Sequence, residues 1–183
     1  IEDMQGTVID LLNQDDLDLG VRIAGVKSLA EIGGDVHTEL LVRQAQQHGR
    51  AIRSYVEPAL IEWKSDAIKE SWMQRLTDPR VNKQLLIFAI DGLGALAESE
   101  ATEPLREILL DRSSNVEVRI AAARSLGSMH PTGMASQASD LISDPDRSML
   151  EELLAAALLT QHNDDESVAV LKTLAESEHS VVQ

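Results

Sequence analysis

The feature that most constrains the fold of this chain is an internal repeat of about 33 residues. Five stretches of similar pattern align on a central leucine, and the gaps between successive anchors are 31, 33, 33 and 33 residues. The anchors are Leu29, Leu60, Leu93, Leu126 and Leu159. A period of this length is typical of arrays in which each unit packs mainly on its neighbours.

The positions around each anchor predict a helix. The residue eight before the anchor is apolar in four of the five repeats, the residue four before it is small in nearly all, and the residue three after it is apolar in four. These offsets share one helical face. A shorter amphipathic segment precedes each stretch, at about residues 3–13, 36–47, 66–76, 101–110, 134–142 and 165–175. The pattern therefore predicts an outer and an inner helix in every repeat.

The predicted fold is all-α, a solenoid of antiparallel helix pairs in an α-α superhelix. Residues 1–183 are interpreted as one such array. Its expected units are 1–33, 34–65, 66–99, 100–131 and 132–163, with a partial sixth unit over 164–183. Because the chain begins at Ile1 and stops where a sixth inner helix is expected, we interpret it as a piece of a longer protein.

The inner-helix pattern Val-Arg-x-x-Ala-x-x-x-Leu-Gly resembles the HEAT repeat, and it is most similar to the short bacterial HEAT-like class named after phycobilisome lyases. The residues that carry the resemblance are Val118, Arg119, Ala122, Leu126 and Gly127, with Val21, Arg22, Leu29 and the turn residue Asp16 in the first repeat. The resemblance implies that Arg22, Arg53 and Arg119 join neighbouring units through turn carboxylates such as Asp16 and Asp111. Pro58 departs from the pattern and is expected to kink or break its inner helix.

Charge and composition exclude several classes of function. The chain has 31 acidic and 16 basic residues, a formal net charge of -15, which argues against nucleic acid or an anionic membrane surface as the main partner. It contains no cysteine, so disulfides and thiolate chemistry are excluded. No signal-peptide pattern is visible, and both a cytoplasmic and an exported bacterial location stay open.

No catalytic, cofactor or metal motif stands out. The segment from Gly92 to Ala97 imitates a G-x-G-x-x-A dinucleotide turn, but Leu93 lies in the helix register, so close helix packing is the preferred interpretation. The histidines lack the spacing of a metal site. The acidic turn that contains Asp18 fails the calcium-loop spacing and is expected to cap the following helix. We therefore expect no catalytic residue, no cofactor and no metal.

One stretch differs from the rest of the array. Residues 41–83 hold eight basic and five acidic residues, and three of the four aromatic residues of the chain also lie there. Tyrosine and tryptophan beside arginine are typical of interface hot spots. The residues expected to face a partner are Arg50, Arg53, Tyr55 and Lys64, which we call the 50–64 patch. Trp63 and Trp72 are expected to support it from the core.

These observations predict a non-enzymatic protein-interaction or scaffold module of a larger bacterial protein, monomeric as a fragment, with a protein partner. Two alternatives stay open. The family name implies a bilin lyase or isomerase subunit that holds a tetrapyrrole. A structural spacer between enzymatic domains of an exported protein is the other.

Overall fold

The computed structural model describes residues 2–32, 34–130, 132–144 and 147–177, which form α-helices and short 3-10 turns and no strand. The predicted all-α helical-repeat class is confirmed. None of the described helices has the length and hydropathy needed to cross a membrane. In chain order the helices are α1 (Glu2–Leu12), α2 (Leu19–Ile32), α3 (Thr38–His48), α4 (Arg50–Glu62), α5 (Lys69–Thr77), α6 (Lys83–Ala95), α7 (Thr102–Leu110), α8 (Val116–Met129), α9 (Met134–Ile142), α10 (Met149–Leu159) and α11 (Asp165–Ala175).

The leucine anchors lie in the even-numbered helices from α2 to α10. Each anchor side chain is at most 1% exposed. The anchors are therefore core positions of the inner helices, as the periodicity predicts. The outer helices begin and end within about three residues of the predicted segments. The last expected stretch, 178–183, lies outside the described residues.

A capping residue sits eleven positions before the anchor in most repeats. The Asn82, Asn115 and Ser148 side chains accept a hydrogen bond from a backbone N–H in the first turn of α6, α8 and α10. Asp18 does the same for α2, where its Oδ1 lies 2.8 Å from the Gly20 N. These side chains satisfy N–H groups that a helix start leaves unpaired, so the repeat period also fixes where each inner helix begins. The predicted capping role of the Asp18 turn is confirmed.

The chain divides into two compact units, unit 1 up to Lys69 and unit 2 from Glu70 onward. In unit 1, α2 and α4 pack against each other, α1 packs on α2, and α3 packs on α4. In unit 2, α6, α8 and α10 form a row of packed helices. Against that row lie α7, which packs on α8, and α9 and α11, which both pack on α10.

Glycines bring the helices of unit 2 close together. A Cβ built on Gly92 would lie 2.5 Å from the Trp72 ring, and one on Gly94 would lie 2.6 Å from the Ser125 Cβ. A Cβ on Gly127 would overlap the carbonyl group of Leu158. The Gly-x-Gly segment is thus helical, and its glycines allow close helix packing, as the register of Leu93 predicts. Because the Gly94–Ser125 and Gly127–Leu158 contacts join nearly equivalent positions of successive inner helices, α6, α8 and α10 run parallel and in register.

Pro58 does not break α4, which continues from Arg50 to Glu62. The part of the prediction that allowed a broken helix is wrong. The proline ring lies on the exposed face, where the Ser54 carbonyl that it leaves without a helical donor can be hydrated. Trp72 is fully buried, as expected, whereas Trp63 is only half-buried.

Candidate interaction surfaces

A buried arginine closes the end of the first outer helix. Arg22 on α2 is 2% exposed, and its Nη1 donates to the Leu12 carbonyl oxygen at 3.0 Å and to the Gln44 Oε1 at 2.7 Å. Its Nη2 donates to the Gln14 carbonyl oxygen at 2.7 Å. The Gln44 Nε2 adds a second donor to the Leu12 carbonyl, at 2.9 Å. These bonds satisfy carbonyls at the C-terminal end of α1 and connect them to α3. We call this network the Arg22 clasp.

The Arg119 clasp occupies the equivalent position in unit 2. The Arg119 Nε donates to the Leu109 carbonyl oxygen at 2.9 Å, and its Nη2 lies 3.5 Å from the Glu151 Oε1. Both side chains are more than nine-tenths buried. Ser148 donates to the other Glu151 oxygen through its N, at 3.0 Å, and through its Oγ, which forms a capping box at the start of α10. Burial raises the pKa of Glu151, but the Ser148 bonds and Arg119 outweigh it, and the pKa is lowered overall.

Two other arginines also donate to a backbone carbonyl of the paired helix. The Arg53 Nε donates to the Ala45 carbonyl oxygen at 3.3 Å, again from an inner to an outer helix. In the third pair the arginine is on the outer helix instead, and the Arg75 Nη1 donates to the Leu85 carbonyl oxygen at 3.3 Å. The arginines therefore connect the two helices of a pair through backbone carbonyls.

The partners implied for these arginines are not the ones observed. Asp16 and Asp111 form no ion pair with Arg22 or Arg119 among the described residues. Asp111 instead accepts bonds from the Ser113 N and Oγ at 2.9 and 2.7 Å, and such bonds from Ser113 and Ser114 lower its pKa. A turn aspartate is satisfied locally, which leaves the guanidinium to the unpaired carbonyls of the helix end.

The structure places the 50–64 patch at several sites of unit 1. Arg50 is exposed at the first position of α4, and Tyr55 is 39% exposed. Arg53 is half-buried, and its Nε is bonded to the Ala45 carbonyl. Lys64 is exposed just after α4, with a φ of 51°. At 100° per residue, Tyr55 lies about 140° around the helix from Arg50, so these two flank the exposed face rather than meeting on it.

An apolar strip runs along the solvent-facing side of the α8–α10 pair. Val116 and Ile120 lie one turn apart on α8, and Met149 and Leu153 lie at the equivalent positions of α10. Val116 is 47% exposed, Met149 55% and Leu153 48%, while Ile120 is half-buried. Because the two helices are in register, the four side chains share one face. Clustered exposed apolar side chains of this kind mark interaction sites more often than single ones do.

The charges beside this apolar strip balance each other. The Lys83 Nζ lies 2.7 Å from the Glu117 Oε2, which connects α6 to α8. Burial raises the pKa of Asp91 on α6, and the nearby positive charge of Arg124 on α8 counteracts that rise. On the α6 side of the strip, opposite charges therefore face each other, although unit 2 as a whole is acidic.

Sequence reasoning missed this strip. The strip residues stand ten and six positions before the anchor, on the side of the helix away from the packed positions eight before, four before and three after it. An isoleucine or leucine at a helical period looks the same whether its face is covered or open, so residue type carried no signal of exposure.

Each unit also has a cavity beside its clasp. The cavity beside Arg22 measures about 280 Å³, and the one beside Arg119 about 450 Å³. In the first, burial lowers the pKa of His48, and so does the positive charge of Arg22. In unit 2, His162 is buried and its Nε2 donates to the Gly127 carbonyl oxygen at 2.9 Å, which is a structural contact. No three histidine or carboxylate side chains of the described residues are placed to hold a metal ion.

Comparison with known proteins supports the repeat class. Residues 70–158 match the family described as HEAT repeats. The matched segment begins at Glu70, the first residue of unit 2, and includes the three-helix row and the Arg119 clasp. The curated proteins provide no significant match to this chain.

Proposed function

We propose that this chain is a protein-interaction module and that the apolar strip of unit 2 is a contact surface for its partner. HEAT repeats are commonly non-enzymatic interaction or scaffold modules, and solenoids of this kind bind through extended surfaces of their stacked helices. The observation that carries the proposal is the exposure of Val116, Met149 and Leu153 on one face. The equivalent positions of the other inner helices are also open, but Arg50, Ser54 and Lys83 make those of α4 and α6 largely polar.

The strip fits an apolar segment of a partner protein. Its apolar side chains repeat at i and i+4 on two parallel helices, and on its α6 side Lys83 is paired with Glu117 and Asp91 lies near the positive charge of Arg124. A helical partner segment with one apolar face would bury the strip without leaving a charge unpaired. The 50–64 patch is proposed as a second, polar contact surface, with Arg50 and Lys64 as its exposed cations.

The finer proposal is a scaffold role within a larger bacterial protein, and its support is the resemblance to short bacterial repeats. The bilin-lyase and spacer alternatives have no observation of their own among the described residues. The perturbed carboxylates of Asp111, Glu151 and Asp164 are accounted for by turn, capping and ion-pair contacts.

The test compares partner capture from the source cells by the wild type and by a Met149→Gln, Leu153→Gln double variant. We expect the double variant to lose proteins that the wild type retains, because glutamine keeps the helix but removes the apolar contact. Val36→Gln is the matched control, since Val36 is 82% exposed and lies outside the strip. Circular dichroism checks that all variants fold.

An unchanged partner set in the double variant would exclude the strip. In that case an Arg50→Glu, Lys64→Glu variant tests the 50–64 patch. Arg53 is left intact because its bond to the Ala45 carbonyl gives it a structural role.

A further inference from the structure

The cavity beside Arg119 has an apolar floor and a charged rim. It is bordered by α7, α9 and the starts of α8 and α10, and it measures about 450 Å³. Leu109, Leu110 and Leu141 supply the floor, and Gln137 adds an amide. Leu110 is 57% exposed, so this floor is open to a ligand from solvent. A volume of this size is within the range of small-molecule sites.

Two arginines of the rim already have anionic partners. The Arg112 Nη2 lies 2.7 Å from the Asp144 Oδ2, which joins the turn after α7 to the turn after α9. Arg119 donates to the Leu109 carbonyl and faces Glu151. The lowered pKa of Glu151 keeps that carboxylate ionised at neutral pH.

The third arginine of the rim is also paired. The Arg106 Nη1 donates to the Glu103 Oε1, one turn earlier on α7. An anionic ligand would therefore have to compete with three carboxylates that already accept from these guanidinium groups.

One rim carboxylate has no such partner. Asp140 is exposed on α9 and forms no hydrogen bond or ion pair with the described residues. The cavity therefore offers an open negative charge beside an apolar floor. Unit 2 has 19 acidic and 9 basic residues, so its wider field also favours cations.

We propose that this cavity binds an alkylguanidinium group, the side chain of arginine, with its guanidinium at Asp140 and its methylenes on Leu109, Leu110 and Leu141. A guanidinium donates two parallel bonds to one carboxylate, and its stem covers apolar surface at little cost. The group could come from free arginine or from an arginine within a polypeptide. The inference does not depend on the proposed function, because the apolar strip contributes no residue to this cavity.

The test is a titration of the whole chain, followed by the methyl signals of the three floor leucines in NMR spectra at low ionic strength. The probes are N-acetyl-arginine methylamide, free arginine, N-acetyl-norleucine methylamide and N-acetyl-glutamate methylamide. We expect saturable shifts with the blocked arginine, weaker shifts with norleucine and none with glutamate. Equal binding of free and blocked arginine would show that the cavity tolerates a blocked backbone, so an arginine within a polypeptide is a suitable source. Binding of free arginine alone would indicate the amino acid.

Asp140→Asn should weaken binding of the blocked arginine by up to about fivefold, the upper end of the range for a solvent-exposed ion pair. Glu107→Gln makes the same charge change on α7 outside the cavity lining and should leave the affinity unchanged. Leu110→Gln, also at an exposed position, should weaken both the arginine and the norleucine probe. Equal affinity of the Asp140→Asn variant and the wild type, stronger binding of glutamate, or no shift at the floor leucines would each overturn the proposal.

Discussion

Arg22 and Arg119 occupy the same position of the repeat, seven residues before the anchor, and both donate to the carbonyl of the leucine that lies seventeen before it. They differ in the partner that the next repeat supplies. Arg22 meets the neutral Gln44, which also donates to the same carbonyl, whereas Arg119 meets the buried carboxylate of Glu151. Unit 1 thus joins its repeats through a neutral hydrogen-bond network and unit 2 through an ion pair.

The comparison shows which part of the clasp belongs to the repeat and which does not. The bond from arginine to carbonyl lies within one helix pair and recurs wherever the arginine does. The inter-repeat bond depends on what the next repeat places opposite, since Gln44 comes from an outer helix, sixteen before its anchor, and Glu151 from an inner helix, eight before its anchor. A neutral and an ionic clasp are expected to respond differently to mutation and to pH, and these responses separate the two units.

The largest difference is expected when each arginine is removed. Arg119→Met leaves the Glu151 carboxylate buried without its cation, which should cost about 3–5 kcal/mol of the free energy of unfolding. Arg22→Met should cost only about 1–3 kcal/mol, because the Leu12 carbonyl keeps the bond from Gln44. Urea unfolding gives the totals, and amide hydrogen exchange in α8 and α2 assigns each loss to its unit.

The control for this pair is Arg119→Met combined with Glu151→Met. Replacing both partners of a buried ion pair with apolar side chains is often neutral, so the double variant should regain most of the lost stability. Equal losses in Arg22→Met and Arg119→Met would show that the two clasps do not differ as described.

A second difference concerns how closely the helices approach. Gly127→Ala places a Cβ against the Leu158 backbone, 2.9 Å from its carbonyl carbon, and should cost about 1–3 kcal/mol. Gly25→Ala in unit 1 meets only the Leu12 and Val8 side chains, the nearest atom at 3.1 Å. These side chains can shift, and alanine favours the helix over glycine by about 1 kcal/mol. The net effect of Gly25→Ala on the free energy of unfolding should therefore be near zero. Thermal unfolding of the two variants compares them, and a stable Gly127→Ala protein would contradict the close packing in unit 2.

The inner helices could be predicted from sequence because burial imposes a period. Leu93 and Leu126 sit in the core for the same reason that their spacing is visible, since a face that packs must be apolar at every turn. The Leu-Gly step of the motif is likewise explained, because Gly94 and Gly127 each face the next inner helix.

The contacts of the clasps could not be predicted in the same way. A backbone carbonyl has no sequence signature, so nothing in the residue pattern distinguished the Leu109 carbonyl from the Asp111 side chain as the partner of Arg119. The apolar strip was missed for a related reason, since Leu153 has the same residue type as a core position and its 48% exposure depends on what covers it.

Acid should weaken unit 2 through Glu151. The folded pKa of Glu151 is lowered, so its contribution to stability is present above the ordinary glutamate pKa and is lost as the pH falls through the folded value. Gln44 does not titrate, but His48 beside the Arg22 clasp has a lowered pKa, so unit 1 loses stability of its own as the pH falls below the ordinary histidine pKa. A His48→Gln background removes this histidine term. Asp91 acts in the opposite direction, because its raised pKa makes folding more favourable when it is protonated. A Glu151→Gln variant isolates the glutamate term.

The measurement is amide exchange in α10 and in α3 of a His48→Gln background, from pH 6 down to about pH 3, below the ordinary glutamate pKa. Protection in α10 should fall relative to α3 when Glu151 is present, and the Glu151→Gln variant should lose this pH dependence while starting from lower protection. The same pH dependence in both proteins would assign the acid sensitivity to other carboxylates, such as Asp111 or Asp164.

The smallest expected effect tests a feature that the two units share. Lys64 after α4 and Ala97 after α6 both lie four residues past an anchor and both have a φ of 51°, the left-handed conformation that ends a helix. The Ser65 N and the Glu98 N donate back to the Leu60 and Leu93 carbonyls at 2.9 and 3.0 Å, which is the bond that such a helix end requires. A residue with a Cβ is strained there, by about 1 kcal/mol. Glycine removes the strain but adds freedom to the unfolded chain, so Lys64→Gly and Ala97→Gly should each raise stability by about 0.5 kcal/mol or less.

Serine at the same positions keeps the Cβ and is the control. A gain in one unit and a loss in the other, read from the urea midpoints, would show that these two helix ends are held by different contacts in spite of their common backbone.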